Sequence, residues 1–293
     1  MRPLQLWFVG GIRDSYFRVN RRCRMTSLAR TEQVRTIFED HLDLREIKLP
    51  MLPKVAAMVI QLTTDDDVDA RQLAKLIQSD QALAGHVMRI ANSPLYRPVS
   101  AFVSLQQAIA RLGISAIGEI ALSTSLNADL FVAPGQAKLL AQLWRESLIC
   151  SAWAREIARM RRTNVESSFL AGLLCQIGKP VVVQGIAEFD LDDESMLQFI
   201  DRYHIRAGAL LANVWQLPEV VGHVIIHHPE DDYEGEHEDV VLNVQAGLGL
   251  LDPGGLADLC PRIQEKLNFY PEDIEFLEAK CPVVEAWVDT VGT

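Results

Sequence analysis

Three histidines crowd one short stretch, GHVIIHH, at His223, His227 and His228. His223 and His227 are four residues apart, so a helix would set both imidazoles on one face, a spacing that can clamp a divalent metal ion. Glu146 and His204, from other segments, are further candidate ligands. The same pattern fits ordinary polar side chains near a helix end, where protonated imidazole complements the helix dipole. Cys175, in LLCQIG, can act as a metal thiolate or a nucleophile. Nothing near it in sequence would activate it, and a small residue on an apolar helical face normally belongs to the core. The loop PEDDYEGEHED, residues 229–239, carries many oxygens but lacks the full ligand spacing of a calcium loop. It reads as a solvated acidic loop. No phosphate-cradling glycine motif and no G-x-S-x-G elbow is present.

The segments that must position these residues are helical almost throughout. PKVAAMVIQL, residues 53–62, places Val55, Met58, Val59 and Leu62 on one buried stripe. Asp67 or Asp69 can cap the helix RQLAKLIQ, and Asp80 can cap QALAGHVMRIAN, which Asn92-Ser93-Pro94 stops. Ser104 and Gln107 have capping-box spacing before QQAIARL, and Gly113 suits its end. After FVAPGQAK, residues 131–138, comes a long amphipathic helix with Leu143, Trp144, Ile149, Ala152 and Trp153 among its buried positions. Further helices run through SSFLAGLLCQIG, MLQFIDRYHIRAGALLANVWQL, LPEVVGHVIIHH and DVVLNVQAGLGLL. The valines 181–183 hint at a strand, but one short run without a partner makes no sheet. The expectation is an all-α, two-lobed helical bundle: residues 1–24 a basic tail or upstream extension, 25–133 an N-terminal lobe, and 134–293 a second lobe with C-terminal helices.

Composition narrows the function classes. A hydrophobic fraction of 49% with 23% charged residues is that of a folded chain, not a disordered one. The net charge of -11 disfavours non-specific attraction to nucleic acid or anionic lipid, so neither nucleic acid nor a membrane is an expected partner. Residues 1–24 run against that trend, with six arginines and one acid, Asp14, a formal +5 that leaves -16 for the rest. Their apolar stretch precedes five of the six arginines, the wrong order for a secretory signal, and Met25 is a natural start for the folded chain. The five cysteines form no C-x-x-C pair and are odd in number, so no disulfide framework is implied and a reducing cytoplasm is the simplest setting.

Residues 47–96 resemble the opening of the HDOD domain, through Leu-Pro-x-Leu-Pro (49–53), Ile-x-x-Asp (77–80) and Asn92-Ser93. Ala108-Ile109 with Leu112-Gly113, LWRESL (143–148), AGLLCQIGK (171–179), HIRAGALLANVWQLPEVV (204–221) and the pair His227-His228 follow in the same order. The likeness covers roughly residues 28–250, with one departure at Gln81, where the family more often has proline. HDOD domains are related to HD-type metal-dependent phosphohydrolases but typically lack the full ligand set. Those enzymes use one His, then a His-Asp pair, then a later Asp. In this sequence the first falls at Glu146, the pair at Cys175 and Gln176, and the last near Asn243. His204, His227 and His228 match positions the family often keeps.

The resemblance implies a non-catalytic bacterial signalling module acting through contacts with another signalling protein, as a stand-alone adaptor, without a cofactor and without a metal. Glu146, Cys175, Gln176, His204, His227 and His228 would be the remnants of the hydrolytic site or the wall of a ligand pocket. Two alternatives stand beside it. One is a phosphohydrolase rebuilt around zinc with Glu146, Cys175, His204 and His227, since thiolate and imidazole suit that ion. The other is a sensor whose pocket binds a small nucleotide without turning it over.

Overall fold

A computed structural model describes residues 38, 49–62, 70–96, 101–127, 130–189, 191–252, 255 and 260–292. The basic segment 1–24 and the proposed caps Asp67 and Asp69 lie outside the described residues. Five helices form the first group: α1 (Lys54–Leu62), α2 (Ala70–Ser79), α3 (Gln81–Ala91), α4 (Leu105–Leu112) and α5 (Ile114–Ser125). The second group comprises α6 (Ala137–Arg161), α7 (Val165–Leu174), α8 (Gly178–Ile186), α9 (Asp193–Trp215), α10 (Glu219–His227), α11 (Glu238–Gly249), α12 (Pro261–Leu267) and α13 (Pro271–Val291). Among the described residues there is no strand, and Val181–Val183 lie within α8.

Local chemistry explains the helix ends. Asp80 accepts the Leu83 amide at 3.0 Å, which starts α3. Asn92 stops that helix and clamps the chain beyond it, accepting from the Phe102 amide and donating to the Phe102 carbonyl. Ser104 accepts the Gln107 amide at 3.3 Å, while the Gln107 side chain accepts from Val103 rather than from the cap itself. Gly113 adopts φ of 89°, a conformation that favours glycine, between α4 and α5.

In the first group, α1 and α3 pack on α5, with Val55, Val59, Leu73, Ile77, Leu83, Val87 and Ile90 buried. Met58, expected on the buried stripe, is only half-buried, as are Leu52 and Leu112. In the second group, α6 is the axis, with α7, α11 and α13 laid along it. Two glycines permit the tightest approaches. A Cβ on Gly172 would stand 2.9 Å from the Ser151 Cα, and one on Gly178 would overlap the His204 carbonyl and lie 2.5 Å from the Gly208 nitrogen. The motif AGLLCQIGK therefore holds α7 on α6 and α8 on α9. The apolar stretch Val165–Ile186 is long enough to cross a membrane, but 72% of its most apolar 18-residue window is buried in this core.

Buried side chains of both groups form one continuous cluster. Two polar contacts reinforce the junction: Arg155 on α6 meets Glu119 on α5 at 2.5 Å, and the Trp215 indole donates to the Pro50 carbonyl at 2.8 Å. The leucine-proline motif thus serves as a docking strap for α9.

Candidate functional site

Where α6, α8, α11 and the end of α10 converge, Glu146, Gln176, Lys179, His228 and Gln245 line a cleft of about 270 Å³, with Pro229, Asp231 and Asp252 supplied by loops. Glu146 lies on α6 and accepts from Gln142 at 3.1 Å. Gln176 follows the last turn of α7, and Lys179 comes three residues later in the first turn of α8. Gln245 donates to the carbonyls of His228 (3.3 Å) and Glu230 (2.7 Å), which fixes the start of the following loop.

The imidazoles of buried His228 and half-buried His204 share one geometry. Nδ1 of His228 stands 3.1 Å from the Val224 and Ile225 carbonyls, and Nδ1 of His204 stands 2.9 Å from those of Ile200 and Asp201. Carbonyls only accept, so each Nδ1 carries the proton and each Nε2 keeps a lone pair. The rings sit 6.0 Å apart. Burial, with repulsion from His204 whenever that ring is protonated and from Lys179, pulls His228 down to about 4, and burial with Lys179 lowers His204. Both are neutral at pH 7.

The structure does not gather all the sequence candidates. Cys175 is 2% exposed, with Sγ 4.0 Å from Cys150 Sγ and donating to the Gly172 carbonyl. Both thiols sit among Ala154, Ala171, Val224 and Val244, and burial raises Cys150 far above the usual thiol range. Cys175 is a core residue. His227 instead stacks on Tyr233 at 4.4 Å and meets Glu230 at 2.9 Å. Consecutive helical residues point about 100° apart, so only one of the His227-His228 pair faces the cleft. The zinc set of Glu146, Cys175, His204 and His227 is therefore not assembled, because two of its members turn away. Asn243 also departs from its expected place. It is fully buried, donating to Thr163 and Ser168 and accepting from Arg161, and Gln245 occupies the cleft on α11 instead.

Sequence reasoning passes over Lys179, Gln245, Asp231 and Asp252. Lys179 has a signal, since it is one turn from Gln176. The others are placed by packing that no local pattern announces.

An HDOD domain model matches residues 49–230. The chain belongs to the HDOD family. An HDOD domain protein of unknown function from Geobacter sulfurreducens superposes with a TM-score of 0.68 at 22% identity, covering 90% of this chain and 98% of its own. A Shewanella amazonensis protein named as a metal-dependent phosphohydrolase gives 0.67 at 21%, covering 89% and 100%. A Marinobacter aquaeolei protein named as a signal transduction protein gives 0.64 at 20%, covering 92% and 68%. At these identities the likeness carries the HDOD fold. An uncharacterized Treponema pallidum (strain Nichols) protein is 22% identical over 211 residues, 67% of this chain. The present chain spans only 40% of that relative's length.

Proposed function

We propose that this HDOD protein is a non-catalytic signal-transduction module that works through protein contacts and carries a degenerate HD metal site. The observation that supports this reading is the chemistry of the cleft. An HD hydrolase needs hard anionic and imidazole ligands to hold ions that acidify water and neutralise phosphate charge. Here the acidic position of the pair holds neutral Gln176, its histidine position holds Cys175 packed against Cys150, and Gln245 is committed to backbone carbonyls. Among the described residues, no three His, Cys, Asp or Glu groups of the cleft bring their ligand atoms within 4.8 Å of one another. A cytoplasmic setting belongs to the same proposal, in keeping with the free thiols of Cys150, Cys175, Cys260 and Cys281.

A second reading, nucleotide sensing, is favoured by the same cleft. Lys179 supplies a cation for phosphate, Gln176 and Gln245 supply amides, and the volume is near the small end of ligand pockets. The deciding experiment uses untagged protein with a panel of nucleotides, cyclic dinucleotides and phosphate esters plus manganese. The module reading expects no turnover. Saturable binding without turnover selects the sensor. Turnover abolished by His228→Ala would overturn both.

A further inference from the structure

The HDOD cleft does not use His223, which lies one turn before His227 on the part-exposed face of α10. We propose that Glu219, His223 and Glu236 form a site for a divalent transition-metal ion of the zinc class, distinct from the HDOD cleft, which ties α10 to the loop entering α11. Their ligand atoms all lie within 4.8 Å of one another, and His223 Nε2 is 3.8 Å from a Glu219 carboxylate oxygen. Zinc ligands at about 2.1 Å in a tetrahedron stand about 3.4 Å apart. Closure therefore needs shifts of about 1 Å in exposed glutamates, a rotamer-scale adjustment.

The orientation of His223 is already set for ligation. The Tyr233 hydroxyl donates to the Glu236 carbonyl at 2.8 Å, so its oxygen is left to accept from His223 Nδ1 at 3.5 Å. That assigns the proton to Nδ1 and turns the Nε2 lone pair toward the carboxylates, the arrangement an outer-shell partner imposes on a metal-bound histidine. The tyrosine ring is itself held by its stack on His227. His237 packs edge-on against His223, with ring centres 5.3 Å apart, outside the three-residue set. A set of imidazole and carboxylate suits zinc and its neighbours better than magnesium or calcium, which prefer all-oxygen surroundings. Residues 229–239 add six carboxylates beside Glu236, so the local field attracts a cation.

The site also has a structural reach. The loop that carries Glu236 supplies Pro229 and Asp231 to the cleft wall, so a bound ion would fix that wall. The ion site uses different side chains from those behind the non-catalytic reading, and either can fail alone.

The test is zinc titration of untagged full-length protein in competition with a chromophoric chelator, with thermal melts in parallel. One equivalent of zinc and a raised Tm are expected. His223→Ala and Glu236→Gln should each weaken binding at least roughly tenfold and remove the Tm rise, whereas His228→Ala should leave both unchanged. Absence of stoichiometric binding, or retention of full affinity in His223→Ala, would overturn the proposal. So would loss of binding in His228→Ala, which would place the ion in the cleft. If His223→Ala failed to fold, the exposed loop substitution Glu236→Gln decides between binding at this site and none.

Discussion

His228 sets the terms at the scale of single residues, because it is buried and neutral, with its Nδ1 donating to the Val224 and Ile225 carbonyls one turn back. Its folded-state value of about 4 lies below the ordinary 6.5. Between those values the unfolded chain binds a proton that the folded chain refuses, so stability falls as pH drops through that window. The gap corresponds to at most roughly 3 kcal/mol. His228→Gln should therefore lose less stability between pH 7 and pH 4.5 than the wild type, in urea melts at each pH. An equal loss in both proteins would mean that the imidazole is not held neutral. Such a residue is half legible in sequence. The pair His227-His228 and the position of Gln176 stand out in the string of letters, but which histidine turns inward depends on the phase of α10 against α9 and α11. Asn243 and Gln245 illustrate the same limit, since two positions along a helix separate a core network from a cleft wall.

At the scale of elements, much more is legible in the sequence. Caps at Asp80 and Ser104 and the stop at Asn92 follow from side chains that satisfy end-of-helix amides and carbonyls, which are local interactions. Ile77 and Leu83 fall on the buried faces expected from their periodicity, at 0% and 7% exposure. Replacing either with Ala should cost about 2–5 kcal/mol in chemical denaturation. Gly178 carries information of another kind. Its motif is visible in the sequence, but the reason is an inter-helix one: α8 crosses α9 with backbone against backbone at His204 and Gly208. Gly178→Ala adds a methyl where no flexible side chain can yield, so the helices must separate. A loss well above the ~1 kcal/mol scale of an ordinary surface change is expected. Gly222→Ala, with open space at its Cβ, should be neutral or mildly stabilising and serves as the control.

The whole molecule depends on a junction that local patterns do not reveal. Arg155 is buried on α6, pairs with Glu119 on α5 and with Glu156, and lies 5.1 Å from the Trp287 ring centre on α13. A cation there joins the first helical group to the axis and to the last helix at once. Glu156 keeps Arg159 at 2.6 Å and Lys280 at 3.3 Å if Arg155 is removed. Glu119, with 11% side-chain exposure, would lose its short ion pair. Arg155→Ala should then cost about 3–5 kcal/mol, because an uncompensated buried carboxylate is left behind. Arg155→Met with Glu119→Leu should recover a large part of that loss, since both charges go and apolar volume remains. The expected coupling can be read by two probes. Of the five tryptophans, Trp144, Trp153, Trp215 and Trp287 lie in the second group and Trp7 in the basic segment, so in a Trp7→Phe background fluorescence follows that group while far-ultraviolet dichroism follows every helix. In the wild type one continuous core should make the two urea transitions coincide. In Arg155→Ala the dichroism should begin to fall at lower urea than the fluorescence, as the first group loosens ahead of the second. Coincident, unshifted curves in the variant would mean that the apolar junction alone holds the two groups together.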